Sequence, residues 1–420
     1  MNLVLKNAKV YTGGQFVDGD VYIENGIISD IVSGGSAISG FEVIDLNNKV
    51  VFPGFVDVHV HLREPGFLYK ETIKTGTMAA ARGGFTTVFT MPNLNPVPDC
   101  LENLKVQLDI IEKDAVINVI PYGSITVGEK QQELAKFEEL APYVCAFSDD
   151  GVGVKHSEDM REAMLRAKKL GKVIVAHCEF IELVNGGVIH DGEYARINGL
   201  PGNPSESEWG EVKRDAELCM ETGAPFHVCH VSTKESLEYV RRAKAEGADI
   251  TCETAPHYLA FTDMDLRDEG NFKMNPPIRS KEDHEALIAA VLDGTVDMIA
   301  TDHAPHSAEE KAKGLRKSLN GVVGLETSFP EMYTRLVKTG IISLEKLLDL
   351  MCFNPAKRFG LDVGVEVGKK ANLTVFDLDE EYTVDPEEFL TMGRATPFVG
   401  DKVFGRCKLT IANGEIAWRE

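Results

Sequence analysis

Two histidines stand one residue apart in Val56-Asp57-Val58-His59-Val60-His61, and Arg63 follows in the next turn. The run alternates, so an extended strand puts Asp57, His59 and His61 on one face and the three valines on the other. Two imidazoles at one strand end can bind a single divalent ion together. A guanidinium just beyond stands where an anionic substrate could meet it. Pro65-Gly66 then turns the chain away. Asp57 shares the histidines' face and is expected behind the site.

Residues of the same chemical type end other apolar runs. They are Asp149-Asp150 after Phe147-Ser148, His177 after Val173-Ile174-Val175-Ala176, His230 in Phe226-His227-Val228-Cys229-His230, and Asp302 in Met298-Ile299-Ala300-Thr301-Asp302. Four imidazoles and two carboxylates brought together suffice for two metal ions. Imidazole and carboxylate without thiolate suit zinc, with manganese or cobalt as weaker options. Each residue also has a plainer reading. A lone histidine in an apolar run is more often a core residue, Asp-Asp-Gly forms turns, and Asp302 could cap a helix. Recurrence at the ends of separate strands outweighs these separate readings. His156, His190 and His284 are expected to be solvated, His227 to face away from the site, and His257 to stand behind it. Alternation turns Cys178 and Cys229 away as small buried hydrophobes.

A parallel α/β scaffold is needed to bring these ends together. Strand-like runs at 55–61, 85–91, 116–121, 143–148, 173–178, 226–231, 249–254 and 297–302 alternate with helical stretches. That order predicts a (β/α)8 barrel with the site on its C-terminal rim. An open doubly wound sheet fits less well, because no GxGxxG follows the first strand. Ser205-Glu206-Ser207-Glu208 reads as a capping box, Asp99 as a helix start before Cys100, and Ser157 as the start of the run to Leu170. Short strands and turns at both ends predict a small β-sandwich built from 1–52 and 363–420, beside a barrel of 53–362. The longest loop, 303–322, is expected over the rim, where Gly314 and Gly321 would let it move.

The net charge of −22 argues against nucleic acid as a partner and means that an anionic substrate needs local cations. No signal-like segment or apolar run of membrane-spanning length is present, so a cytoplasmic protein without membrane contact is expected. Eight cysteines without CxxC spacing fit reduced thiols.

Asp57-Val58-His59-Val60-His61-Leu62-Arg63-Glu64-Pro65-Gly66 and Ala300-Thr301-Asp302-His303-Ala304-Pro305-His306, with Lys311 beyond, resemble the two signature motifs of the dihydroorotase family. Met91-Pro92-Asn93, Ala176-His177-Cys178-Glu179, His227-Val228-Cys229-His230 and Lys273-Met274-Asn275-Pro276-Pro277 fit as well. The resemblance spans nearly the whole chain and is to the long, bacterial-type class of the amidohydrolase superfamily. It implies reversible cyclisation of N-carbamoyl-L-aspartate to (S)-dihydroorotate in pyrimidine synthesis, by metal-activated hydroxide with Asp302 as acid and base. It implies two divalent ions, zinc first, held by His59, His61, His177, His230 and Asp302. Where many superfamily members bridge the ions with a carboxylated lysine, Asp150 is expected to serve, with Asp149 as the fallback. Arg63, Asn93 and His306 would hold the substrate carboxylate, with Asn275, Asn320 and Gly321 nearer the ring. Leu319 stands where relatives often carry proline. Beyond the small-molecule substrate, a homo-oligomer and an association with another pyrimidine-pathway enzyme are expected. A hydantoinase or allantoinase would use the same metals without needing Arg63 and Asn93 for a carboxylate. A non-catalytic homologue would have lost metal ligands.

Overall fold

Eight parallel strands follow one another around a barrel in chain order. A computed structural model describes residues 1–34 and 39–420. The strands are Phe55–Val60, Phe85–Thr90, Asn118–Pro121 continued by Gly123–Ser124, Ala146–Ser148, Val173–Ala176, Phe226–Val228, Ile250–Thr254 and Met298–Ile299. Each pairs in parallel with the next. The third strand is interrupted at Tyr122, whose buried hydroxyl donates across the barrel to the Val58 carbonyl at 2.8 Å. The last gap closes beyond the eighth strand. Val60 bridges His303, and the His61 N–H donates to the His303 carbonyl at 2.8 Å. Asp57 is fully buried at this seam and accepts from the backbone N–H of His59 (3.0 Å) and Thr301 (3.1 Å). It thus ties the first strand to the eighth from behind the rim, as expected of its position.

The two chain ends form one hydrogen-bonded sheet of eight strands. The strand Val50–Pro53, not anticipated from the sequence, joins them by pairing antiparallel with Leu373–Thr383. Its Val-Val-Phe-Pro run ends at Pro53-Gly54, which separates it from the first barrel strand at Phe55. The apolar face of this sheet gathers Leu3, Val21, Ile23, Val51, Leu373 and Ile411 into a core of its own. Aromatic rings fill the seam between sheet and barrel. Phe329 lies 4.4 Å from Phe376 and 5.1 Å from Phe55, centroid to centroid, and Phe55 lies 5.8 Å from Phe85. Gly84 makes the close approach possible. Its φ of +89° suits glycine, and a Cβ there would stand 2.7 Å from the Phe376 ring.

The expected helix starts need correction. The helix Glu206–Thr222 begins at Ser205, but Ser205 makes no side-chain cap and is itself helical (φ −57°, ψ −28°). Glu208 cannot complete a capping box because its carboxylate is taken by the backbone and hydroxyls of Ser232 and Thr233. Asp99 does not cap the helix Leu101–Asp114, which starts at Cys100. Its carboxylate accepts instead from Gly128 N and Asn103 Nδ2, both at 2.9 Å. Ser157 is the first residue of the helix Ser157–Lys169. Among the described residues no helix is long and apolar enough to cross a membrane.

Candidate active site

The barrel order carries the six candidate ligands to one rim. His59 is in the first strand, His61 just past it, Asp150 past the fourth, His177 past the fifth, His230 past the sixth and Asp302 past the eighth. All six are buried. His61 Nε2 lies 3.1 Å from Asp302 Oδ1, and His59 Nε2 lies 3.3 Å from Asp150 Oδ1 and 3.5 Å from Asp302 Oδ1. His230 Nε2 lies 3.7 Å from Asp150 Oδ1 and 2.9 Å from His177 Nδ1. Two atoms bound to one ion at about 2.0–2.2 Å in a tetrahedral shell stand roughly 3.3–3.6 Å apart. The His59–Asp150 and His59–Asp302 separations match that spacing. His59 Nε2 and Asp150 Oδ1 are buried and make no hydrogen bond. Two buried polar atoms that converge without a hydrogen bond between them fit a cation. His59, His61 and Asp302 form one triad whose ligand atoms lie within 4.8 Å of one another, and His59, Asp150 and His230 form another.

Burial opposes ionisation of Asp150, but His59, His230 and His61 around it hold its pKa well below the ordinary carboxylate value. Asp302 is lowered in the same way, against its burial, by His61 and His59. Asp149, the fallback, turns elsewhere. Its carboxylate accepts from Ile125 N at 2.7 Å and from the backbone and hydroxyl of Thr126.

Three residues at this rim adopt left-handed backbone that non-glycine side chains seldom take. They are Arg63 (φ +60°), His230 (φ +33°) and Asp302 (φ +47°). The turn at His230 explains a correction. His227, expected to face away, is buried beneath the cluster, with Nε2 3.0 Å from Glu253 Oε2 and Nδ1 2.8 Å from Thr251 Oγ1. The strand ends at Val228, so period-2 alternation no longer relates 227 to 230. Cys229, expected to turn away, lies within 4.8 Å of ligand atoms of His59 and Glu253. Burial pushes its thiol pKa up, so it stays a neutral thiol. His190 is buried on the short strand Ile189–His190 rather than solvated, and His284 is half-buried with Nε2 3.1 Å from the Leu259 carbonyl. His156 is exposed as expected. His257 is buried behind the site, and burial lowers its pKa to about 4, keeping the ring neutral.

A cavity of ≈ 170 Å³ opens over the cluster, and every residue expected to meet substrate lines it. Arg63 is buried and its Nε donates to the Pro305 carbonyl at 3.1 Å. Among the described residues no carboxylate forms an ion pair with it. Asn93 places Oδ1 2.9 Å from His61 Nδ1, and its Nδ2 3.5 Å from Asp150 Oδ2. Asn275 Nδ2 donates to Glu179 Oε2 at 3.0 Å. His306 lines the cavity beside Arg63, its Nε2 3.4 Å from Arg63 Nη2. Its Nε2 lies 2.7 Å from the Asn320 carbonyl and its Nδ1 3.1 Å from Lys70 Nζ. Burial, with Arg63 and Lys70 nearby, lowers its pKa to about 3, so it is a neutral ring that steadies its neighbours.

The 303–322 loop is more firmly held than its composition suggests. It carries two short helices, Ala308–Lys311 and Gly314–Lys317. Lys311 Nζ donates to three carbonyls, Gly321 at 2.6 Å and Lys273 and Leu319 at 2.8 Å. The motif lysine therefore clips the loop rather than facing the cavity. Gly321 has φ +134°, and a Cβ there would stand 2.6 Å from the Ala304 carbonyl, which accounts for glycine at that place.

Three contributors were missed. Glu253 sits mid-strand with Oε1 2.6 Å from His59 Nδ1. A carboxylate inside an apolar barrel strand was a readable signal. Although burial opposes it, His59 and His227 hold Glu253 ionised, with a pKa of about 2. Lys70 and Glu179 lie in irregular segments, where no periodicity marks them.

A family description, Dihydro-orotase-like, matches residues 48–236. A dihydroorotase of Fusobacterium nucleatum subsp. nucleatum is 49% identical over 418 residues, covering 99% of this chain and 98% of the relative. A dihydroorotase of Bacillus cereus is 48% identical over 424 residues, covering 100% and 99%. Among solved structures, an L-hydantoinase (dihydropyrimidinase) from Arthrobacter aurescens superposes with a TM-score of 0.88 at 28% identity, covering 99% of this chain and 95% of that one. A D-hydantoinase from Thermus sp. gives 0.86 at 28%, with the same coverage.

Proposed function

The chain belongs to the dihydroorotase family, and on that premise we propose how its residues carry the reaction. The reaction is the reversible interconversion of N-carbamoyl-L-aspartate and (S)-dihydroorotate in pyrimidine synthesis. The observation that best supports this substrate is a buried, carboxylate-free Arg63 in the same cavity as the histidine–aspartate cluster. Among the described residues only carboxylates beyond ion-pair distance, Asp302 and Asp150 first, offset its burial, and a substrate carboxylate supplies a direct partner through two parallel hydrogen bonds.

His59, His61, His177, His230, Asp302 and Asp150, which stands among all four imidazoles, would hold two divalent ions. Zinc suits this donor set. When bound, such ions polarise the ring amide carbonyl and lower the pKa of water. Asp302, ionised and 3.1 Å from His61, then works as base and acid. In hydrolysis it accepts a proton from the attacking water, the ring C–N bond breaks, and it returns the proton to the leaving nitrogen. The products are the ureido group and a new carboxylate. In cyclisation the ureido nitrogen attacks that carboxylate and water leaves. Arg63 holds the carboxylate that does not react, with Asn93 Nδ2 beside it. Asn275, Asn320 and Gly321 line the wall against the ring.

The test is turnover of dihydroorotate, hydantoin and allantoin by metal-quantified protein. Dihydroorotate is expected to be preferred, with two zinc ions per chain. In Arg63→Ala, KM for dihydroorotate should rise by roughly 30–150-fold, the loss of a charge-assisted pair of about 2–3 kcal/mol. Preference for hydantoin, or an unchanged KM in that variant, would refute the carboxylate reading.

A further inference from the structure

We propose that Glu253 is a positioning residue that fixes His59 for metal binding, and that His227 and Thr251 in turn fix Glu253. This rests on the reading of His59 as a metal ligand. Glu253 is on the seventh strand, 194 residues from His59, and both are essentially without solvent exposure. The 2.6 Å between His59 Nδ1 and Glu253 Oε1 is a hydrogen bond. It is too short for two atoms sharing one zinc ion, which stand roughly 3.3–3.6 Å apart. Glu253 is therefore not itself a ligand to the ion that His59 holds.

An imidazole nitrogen 2.6 Å from a carboxylate oxygen shares a proton with it, which assigns the N–H of His59 to Nδ1. That leaves Nε2 as a bare lone pair, and Nε2 is the atom facing Asp150 and Asp302. The chain of donors continues consistently. His227 Nε2–H donates to Glu253 Oε2 at 3.0 Å, and the Thr251 hydroxyl donates to His227 Nδ1 at 2.8 Å. The other oxygen, Oε1, also lies 3.4 Å from the backbone N–H of His230, which helps to hold that residue's left-handed turn. His61 has a different support, the neutral amide of Asn93. A negative carboxylate behind an imidazole raises its basicity as a ligand, whereas an amide only orients it. The ion held by His59 should accordingly depend on Glu253 for affinity as well as geometry.

The experiment is chelator competition for zinc on the full chain, comparing wild type with Glu253→Gln, which keeps shape and an acceptor oxygen but removes charge. Zinc affinity is expected to fall roughly 10–100-fold at one of the two ions. KM for dihydroorotate at saturating zinc should stay within about twofold, and the urea midpoint of the metal-free protein should not fall. His227→Gln, which loosens Glu253 without removing its charge, should lower zinc affinity severalfold. The variant tests the proposal even if Glu253→Gln folds poorly. Wild-type zinc affinity in both variants would overturn it, as would a fall confined to metal-free stability. His59→Ala separates this proposal from the site reading. If His59→Ala loses zinc while Glu253→Gln keeps it, only the positioning role fails; if His59→Ala keeps both ions, the ligand assignment fails.

Discussion

In the proposed reaction Asp302 would both hold a metal and move a proton, and the two roles can be separated at one atom. Asn in its place keeps a ligating oxygen but cannot accept a proton. Asp302→Asn is expected to retain most of its zinc and to lose at least about 10²–10⁴-fold in kcat, read from turnover against metal content on the same sample. The adjacent aspartates give a second test. Asp150 faces four imidazoles while Asp149 holds the backbone of Ile125 and Thr126. Asp150→Asn should lower bound zinc below two per chain with little change in metal-free stability. Asp149→Asn should do the reverse, lowering the unfolding free energy by about 1–3 kcal/mol with zinc retained. Equal zinc loss in both would show that the pair shares the role. At this scale residue types were legible, but orientation was not. Nothing local distinguishes Asp149 from Asp150, because their partners lie on other strands.

The elements hold these residues through buried polar contacts between distant segments. Glu326 is one such tie. It accepts from the backbone N–H of Leu390 (3.0 Å) and Thr391 (3.3 Å) and from Arg82 (3.2 Å), fastening the segment after Leu373–Thr383 to the barrel. Burial raises its pKa from the ordinary 4.5 to about 7, outweighing the hydrogen bonds and Arg82. The folded chain therefore binds more protons than the unfolded one between those values. The stability contributed by this group is fully present below about pH 4.5 and is lost as pH rises through about 7. Thermal midpoints measured from pH 4.5 to 8 should fall more steeply with rising pH in wild type than in Glu326→Gln. Identical slopes would show that the carboxyl titrates normally. The strand order was readable from hydrophobic runs, and the observed strands fall inside the expected ones except for Gly123–Ser124, which continues the third strand past its expected end. Helix caps were read less well, since Glu208 and Asp99 satisfy partners in loops far along the chain rather than their own helix starts.

The whole molecule is joined through the aromatic seam between sheet and barrel. Phe376 is 1% exposed and belongs to the terminal sheet, yet its ring packs on Phe329 and Phe55 of the barrel side. Phe376→Ala should cost about 3–5 kcal/mol, and urea unfolding should remain a single transition followed equally by fluorescence and circular dichroism. Two separated transitions would mean that sheet and barrel unfold independently. At this scale the division of labour is clear. The sequence by itself determined which residue types end which strands, because period-2 alternation and chain order survive into a parallel barrel almost unchanged. It also carried the family motifs that give the reaction. Only the tertiary structure decided that Asp149 is taken up by Ile125 and Thr126, that His306 is engaged by Asn320 and Lys70, and that Glu253 and His227 lie beneath His59. The physical reason is the same in each case. Those orientations are set by hydrogen bonds between segments brought together only when the barrel closes.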